Sequence, residues 1–458
     1  MGESGSAEIR PPWGRSDRFV PRAVLRPLQE FLDTSTASGV LLLVAVLVAL
    51  AWANSPWGSA YDSLWSTPVV FDAGPISLDL DLRHAVNDGL MALFFLVAGL
   101  EIKRELTIGE LSGWRSAALP IVAAVGGMVV PALVYLAVVG GGPDARGWGI
   151  PMATDIAFAL GALALAGSAA APGLRPLLLT LAIVDDMGAI LVIALFYTGG
   201  VEAGWLIAAF GIAAIVVLAR LVEVRASVVY VLAGLTLWYA VYRGGVHPTI
   251  AGVAMGLLTP AQRFQQPRAV SEEARRTADE TMDDPDPPDA DAHWWIRLAW
   301  LSKEAVSPLA RVEHVLLPWT SFLILPLFAL ANAGVEISWS ALGGALRSPV
   351  ALGVAVGLVL GKPLGVWVAG MAAARAGLAR MPASVGPVPF LGLAVAAGIG
   401  FTISIFIAEL AFGEGPVLEH AKVGILAATI VSGVAANLVL RLGSRHQRGH
   451  VDDGVFGA

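Results

Sequence analysis

The stretch LLLTLAIVDDMGAILVIALF, residues 177–196, carries two adjacent aspartates, Asp185 and Asp186, inside an otherwise almost wholly apolar run. About 20 mainly apolar residues span a bilayer as a helix, so this run reads as a membrane span. Asp185 lies ten residues beyond Arg175. At about 1.5 Å per residue that is roughly 15 Å, half of a hydrocarbon core about 30 Å thick. An ionised side chain at that depth costs about 2.5–3.5 kcal/mol on insertion scales, so both carboxylates ask for a reason. Adjacent helical positions point about 100° apart, which lets one face a water-filled cavity while the other meets a neighbouring helix. A polar pair that merely ties helices together is the bland alternative, but one asparagine would do that at lower cost.

The rest of the chain agrees with a membrane setting. Of 458 residues 56% are hydrophobic and only 14% charged, against about a quarter charged in soluble domains, which excludes an ordinary soluble fold. The 51 glycines follow no Gly-X-Y period or tandem repeat, so collagen and solenoid readings fail. There is no cysteine, hence no disulfide or thiol metal site. The net charge of −7 is modest and the acids cluster in one loop, which argues against a nucleic-acid partner. Residues 1–37 show no apolar core ahead of a cleavage site, so no signal peptide is expected.

Apolar runs fall near 38–54, 85–103, 116–139, 149–167, 174–197, 204–220, 226–242, 246–260, 315–333, 349–374, 389–412 and 418–441. The expectation is an all-α polytopic membrane protein of about twelve helices. Of the 29 Lys and Arg residues, 23 fall in the two tails and alternate connections, and five on the opposite side, namely Arg83, Arg146, Arg243, Arg347 and Lys422. Positively charged loops stay cytoplasmic, so both termini are expected inside, at the plasma (inner) membrane. The organisation is then a cytoplasmic tail (1–37), spans one to eight (38–260), an acidic cytoplasmic linker (261–313), spans nine to twelve (314–442) and a second cytoplasmic tail (443–458). The linker contains SEEARRTADETMDDPDPPDADAH, residues 271–293, whose proline and acid content predicts a mostly disordered spacer. Between spans one and two, VVFDAGPISLDLDL (69–82) alternates apolar and polar residues about a turn, predicting an outward two-stranded hairpin near 67–82. Its free edges can pair with a second protomer, or the loop is simply ordered without a partner.

Lys362, in GLVLGKPLGVW (357–367), is the one cation inside a span and calls for a carboxylate partner. A permanent structural ion pair and a pair that breaks on protonation both satisfy that need. Asp155 occurs in GWGIPMATDIAFALG (147–161), where Pro151 and nearby glycines weaken the helix, and Gly398 and Gly400 do the same in LGLAVAAGIGFTISIF (391–406), ahead of Thr402 and Ser404. These are spans four and eleven. Interrupted spans expose helix ends whose partial charges bind ions or need counter-charges, although glycines also serve close helix packing. Because seven is odd, spans three to five and ten to twelve run in opposite directions, the geometry of an inverted repeat. A further polar set, Glu101, Arg104 and Glu105 in GLEIKREL with Glu313 and His314 in RVEHVL, forms either interfacial anchors or a charged funnel that senses protons. Asp88 reads as a structural group, and His247 as a solvated histidine whose titration range would also allow a switch.

Taken in order, NDGLMALFFLVAGLEIKREL, ATDIAFALGALAL, LAIVDDMGAILVIALFYT, GVHPTIAGV, LPLFALANAGV, GKPLG and GFTISIFI resemble the NhaA-type sodium/proton antiporters over roughly residues 30–442. Inverted repeats with broken helices are a known feature of that family. The resemblance implies exchange of cytoplasmic sodium or lithium for external protons, two protons per sodium, with no cofactor. It implies that Asp186 is the more direct sodium ligand, that Asp185 partners Lys362, and that Thr154 and Asp155 belong to the ion site at the crossing of the broken helices, Asp155 compensating helix-end charge. Glu101, Arg104, Glu105, Glu313 and His314 match positions of the pH response, and the hairpin matches a homodimer contact. Leu317 stands where some relatives carry a second histidine, which bears on the pH set point. Sodium wants oxygen ligands, and burial makes a carboxylate hold its proton more tightly, so the two ions can compete for the same oxygens.

Two rivals weigh less. An intramembrane aspartyl protease also needs two carboxylates, but on separate helices facing across a peptide bond, whereas neighbours on one helix make a poor dyad. For a channel or another sodium-coupled transporter, Lys362 is awkward, because a fixed positive charge repels permeant cations unless it takes part in the cycle.

Overall fold

The computed structural model describes residues 37–74, 76–167, 171, 173–282, 290–382 and 384–455. The tail expected over 1–37 therefore lies almost entirely outside the described residues, as does the acidic proline cluster 283–289. A bilayer offers no water to backbone N–H and C=O groups, so apolar runs pair their own backbone and become helices. The chain begins with α1 (Ala37–Ala53) and α2 (Gly58–Trp65), and the hairpin strands β1 (Pro68–Ala73) and β2 (Ile76–Asp81) follow. Next come α3 (Leu82–Thr107), α4 (Trp114–Val139), a 3-10 stretch (Pro143–Met152), α5 (Ile156–Leu165), α6 (Leu174–Phe196), α7 (Ala203–Leu221), α8 (Ser227–Arg243) and α9 (Thr249–Leu258). After the linker helices α10 (Pro267–Met282) and α11 (Ala290–Glu304) stand α12 (Pro308–Asn332), α13 (Trp339–Arg347), α14 (Pro349–Arg375), α15 (Pro387–Ala397), α16 (Phe401–Phe412) and α17 (Pro416–Val455).

Among the described residues seven helices are long and apolar enough to cross a membrane, namely α3, α4, α6, α7, α12, α14 and the Pro416–Gly443 part of α17. Three bent pairs raise that to ten: α1 with α2 (115°), the 3-10 stretch with α5 (47°) and α15 with α16 (43°). The remaining two apolar runs form the shorter helices α8 and α9. Large apolar side chains such as Ile207, Phe210 and Leu221 stand exposed along α7, as expected where lipid takes the place of water.

The long helices approach closely where side chains are small. In α14, Gly357, Gly361 and Gly365 recur every fourth residue and form a smooth strip against α4. A Cβ at Gly361 would stand 2.8 Å from the Cα of Pro131, and one at Gly365 would overlap the carbonyl oxygen of Gly126. That approach carries Lys362, which lies on the same stretch of α14, into the middle of the protein, where it is fully buried. The helix widens to a five-residue turn over Gly357–Gly361, immediately before the lysine.

The hairpin forms with Val69 opposite Leu80 and Val70 opposite Asp79, turning at Gly74. It is the only sheet among the described residues, so each strand keeps a free edge.

The linker departs from the sequence expectation of a mostly disordered spacer. Helices α10 and α11 flank the acidic proline cluster, and Arg297 Nη2 of α11 lies 3.2 Å from Glu273 Oε1 of α10. Val270 and Thr277, two turns apart on one side of α10, are both buried. The linker is tied to the membrane region as well: Arg225 Nη1, in the turn between α7 and α8, donates to Glu304 Oε1 at 2.6 Å. Averaged composition hid this, because the prolines and acids are concentrated between two segments with helical periodicity. At the other end, α17 continues to Val455, beyond the residue 442 boundary expected for the last span.

Candidate functional site

Two of the bent helix pairs, the 3-10 stretch with α5 and α15 with α16, meet at their breaks. A broken helix leaves orphan N–H groups at one end and orphan C=O groups at the other, which hydrocarbon cannot satisfy. Here each break supplies what the other lacks. Asp155 Oδ1 accepts from the Phe158 N–H at 3.1 Å and caps α5, while its Oδ2 accepts from the Thr402 N–H at 3.1 Å and the Thr402 hydroxyl at 2.7 Å, in the first turn of α16. One carboxylate thus serves two positive helix ends. In the other direction, the Thr154 hydroxyl donates to the Ala397 carbonyl at 2.9 Å and the Ser404 hydroxyl to the Ile150 carbonyl at 2.7 Å. The Asp155 N–H donates to the Ile399 carbonyl at 2.6 Å. The backbones come so near that a Cβ at Gly400 would stand 2.7 Å from the Ala153 carbonyl oxygen.

Lys362 reaches this crossing from α14. Its Nζ donates to Asp185 Oδ2 and to the carbonyl oxygen of Met152, the last residue of the 3-10 stretch, so the cation also answers a negative helix end. Asp185, Asp186, Thr154, Asp155 and Lys362 are all buried. Among the described residues Asp185 Oδ1 and Asp186 Oδ1 make no hydrogen bond of good geometry, and Thr154 lies beside the Asp185 carboxylate. Buried carboxylate oxygens rarely remain unpaired, and this pair makes an acceptor-only surface suited to a hard cation or a proton. Asp155, grouped with the cation ligands on the sequence, differs from them: both its oxygens are already engaged by helix ends. No group of three or more His, Asp or Glu residues poised for a resident metal occurs among the described residues.

The second polar set is only partly assembled. Arg104 Nη1 donates to Glu313 Oε1, and Glu101 lies within electrostatic reach of Glu313 and of Asp186. Glu105 accepts from the Glu110 N–H at 2.9 Å and lies within electrostatic reach of Glu101 and Glu313, whereas His314 is exposed, with no ion pair to the set among the described residues.

At the opposite end of α3 and α12 the sequence reading missed a buried network. Asn87 Nδ2 donates to Glu409 Oε2 at 2.6 Å, Asn332 Nδ2 donates to Asn87 Oδ1 at 2.7 Å, and Lys422 Nζ lies 3.4 Å from Glu409 Oε1. Glu409 in a span was the signal available, and it went unread because it stands near the end of an apolar run. His247, read as a solvated histidine, is mostly buried: Nε2 lies 3.5 Å from Asp88 Oδ1 and its ring meets Phe406 edge-on at 5.1 Å. Gly245, ahead of α9, takes a left-handed backbone conformation.

A family profile described as Na+/H+ antiporter 1 matches residues 29–440. The chain is 46% identical over 446 residues to "Na(+)/H(+) antiporter NhaA 2" of Sorangium cellulosum (strain So ce56), covering 96% of this chain and 95% of the relative. It is 48% identical over 424 residues to "Na(+)/H(+) antiporter NhaA 2" of Myxococcus xanthus (strain DK1622), covering 91% and 89%. Among solved structures it resembles the sodium proton antiporter MjNhaP1 from Methanocaldococcus jannaschii at 12% identity and TM-score 0.46, over 92% of this chain and 98% of the other.

Replacing Asp155 with Ala removes the acceptor shared by two helix N-termini. At about 1 kcal/mol per cap, and more where charge meets a helix end away from water, the expected loss is about 2 kcal/mol or more. A lowered midpoint of thermal unfolding in detergent checks this, and an unchanged midpoint contradicts the shared cap.

Proposed function

The chain belongs to the Na+/H+ antiporter 1 family and exchanges sodium ions for protons as a multi-pass membrane protein, and from that premise we propose that Asp185 and Asp186 are the exchange site, with Lys362 the internal cation that sodium displaces. The observation that carries this reading is the pair of buried, unpaired oxygens, Asp185 Oδ1 and Asp186 Oδ1, beside the Lys362 ammonium. Asp186, with no basic partner of its own among the described residues, is the first ligand for sodium. Asp185 adds a second carboxylate once it parts from Lys362, and the Thr154 hydroxyl, beside Asp185 and donating its proton to Ala397, offers a neutral oxygen ligand. Asp155 holds the helix ends and sets the local charge. Lithium, a smaller hard cation, suits the same oxygens.

Binding one sodium ion from the cytoplasm expels two protons. One leaves Asp186; the other leaves Lys362, which becomes neutral on losing its partner, or leaves Asp185 where that carboxyl is protonated and unpaired before sodium arrives. With access alternating between the two faces, the site returns with two protons and has moved one net charge. This scheme goes with twelve spans, both termini cytoplasmic, and spans three to five and ten to twelve as inverted repeats that meet at the crossing. Glu101, Arg104, Glu105, Glu313 and His314 set the response to cytoplasmic pH, with the Arg104–Glu313 pair as its centre. The hairpin, whose exposed Val70 and Phe71 lie on an edge strand, pairs with its counterpart in a homodimer.

In liposomes of purified protein, a potassium-diffusion potential is expected to alter sodium-driven proton flux, the flux is expected to change with pH, and Asp186→Asn is expected to abolish it in a folded protein. Wild-type flux indifferent to the potential rules out two protons for one sodium, flux independent of pH removes the regulatory cluster, and near-normal flux in Asp186→Asn removes the site assignment. Deleting residues 69–80 is expected to weaken the homodimer while each protomer still transports. Unchanged pair distances in the membrane would contradict the hairpin contact.

A further inference from the structure

The linker helix α11 is apolar on two sides. Trp294, Leu298 and Leu301 lie half-buried on the side that also carries buried Glu304 and the Arg297 contact to α10. On the other side Trp295, Ile296 and Trp300 are 51%, 67% and 52% exposed. At 3.6 residues per turn these three and Ala299 fall within an arc of about 140°. Lys303 stands at the end of the same face and is exposed. A helix in water gains nothing by presenting two indoles and an isoleucine side by side, so this face calls for a cover.

Position identifies the cover. Glu304, the last residue of α11, is held by Arg225 in the turn joining the apolar helices α7 and α8, and the membrane-crossing α12 begins at Pro308. The Arg225 guanidinium lies 4.7 Å from the Phe264 ring centroid and 5.9 Å from that of Trp300. Trp300 therefore lies beside the ends of the apolar helices α7, α8 and α12, and the ends of membrane helices are where indoles and snorkelling cations are most favoured. An apolar cleft of about 650 Å³ between α3, α8, α9 and α12 reaches the base of α11, with Arg225, Lys303 and Arg311 in its lining.

We propose that α11 is an interfacial helix whose Trp295, Ile296 and Trp300 face lies in the headgroup region of the leaflet where α12 begins. The partner is the lipid surface itself, and the contact is apolar with cations at its margin. The linker is then a strap attached to the membrane along α11, holding the approach to α12, the helix that carries Glu313.

The chain has no cysteine, so a single introduced cysteine is a unique label. Ile296→Cys and, as a control on α10, Glu272→Cys are each labelled with a nitroxide in the full-length protein, and both positions are exposed, so neither change disturbs packing. In liposomes, power saturation is expected to give position 296 an oxygen-to-nickel-chelate accessibility ratio several-fold above that at 272, placing it at headgroup depth, and to keep it there at high salt. Equal ratios at the two positions overturn the proposal by placing α11 in water. Low accessibility to both reagents at 296 overturns it as well, since a second copy or another protein would then be the cover. The depth is read without transport, so it stands or falls independently of the exchange site.

Discussion

A single carboxylate at the crossing of two broken helices is the constraint on which the rest of this protein depends. Hydrocarbon cannot solvate a helix end, so a break in mid-membrane is tolerated only where protein groups answer every orphan N–H and C=O. Asp155 answers two positive ends at once, the hydroxyls of Thr154 and Ser404 answer carbonyls across the crossing, and Lys362 answers the carbonyl of Met152. With these ends satisfied, the carboxylates of Asp185 and Asp186 are not consumed in holding the backbone together. Asp186 and the Oδ1 atom of Asp185 remain as buried acceptors, which suits the proposed exchange between a metal cation and protons.

The Lys362–Asp185 pair stands in a different energetic regime from a surface salt bridge. Both groups are wholly buried, and stripping one partner from a buried pair costs about 3–5 kcal/mol because the other charge is left uncompensated. A state in which Asp185 turns away from the lysine is therefore accessible only if another cation takes its place, or if the orphaned group changes its protonation. In the exchange proposed above, that coupling would make two occupants compete for one set of oxygens at a site costly to leave empty. The glycine strip of α14 matters here because it lets the lysine approach without a gap.

Helices α3 and α12 are joined at both ends by polar contacts, Arg104 with Glu313 at one end and Asn87 with Asn332 at the other. Glu101 stands between the first of these contacts and Asp186, within electrostatic reach of both Glu313 and Asp186. The second contact continues through Glu409 to Lys422 and ties the start of α3 to α16 and α17.

The amino-acid sequence by itself determined the helical class, the places of the apolar helices, the two-stranded hairpin and the three charges that have no business in hydrocarbon. A bilayer leaves an apolar run no alternative to a helix, and a mid-membrane charge is too costly to be incidental. Glycine and proline likewise marked both breaks. Other features depend on which surfaces meet, and no local pattern encodes that. Tertiary structure alone decided that Asp155 spends both oxygens on helix ends, that Met152 offers a carbonyl to Lys362, that His247 is buried against Phe406, and that Asn87 and Glu409 share a network. It also turned a segment with a spacer's composition into two paired helices, because Arg297 and Glu304 find Glu273 and Arg225 in space rather than in sequence.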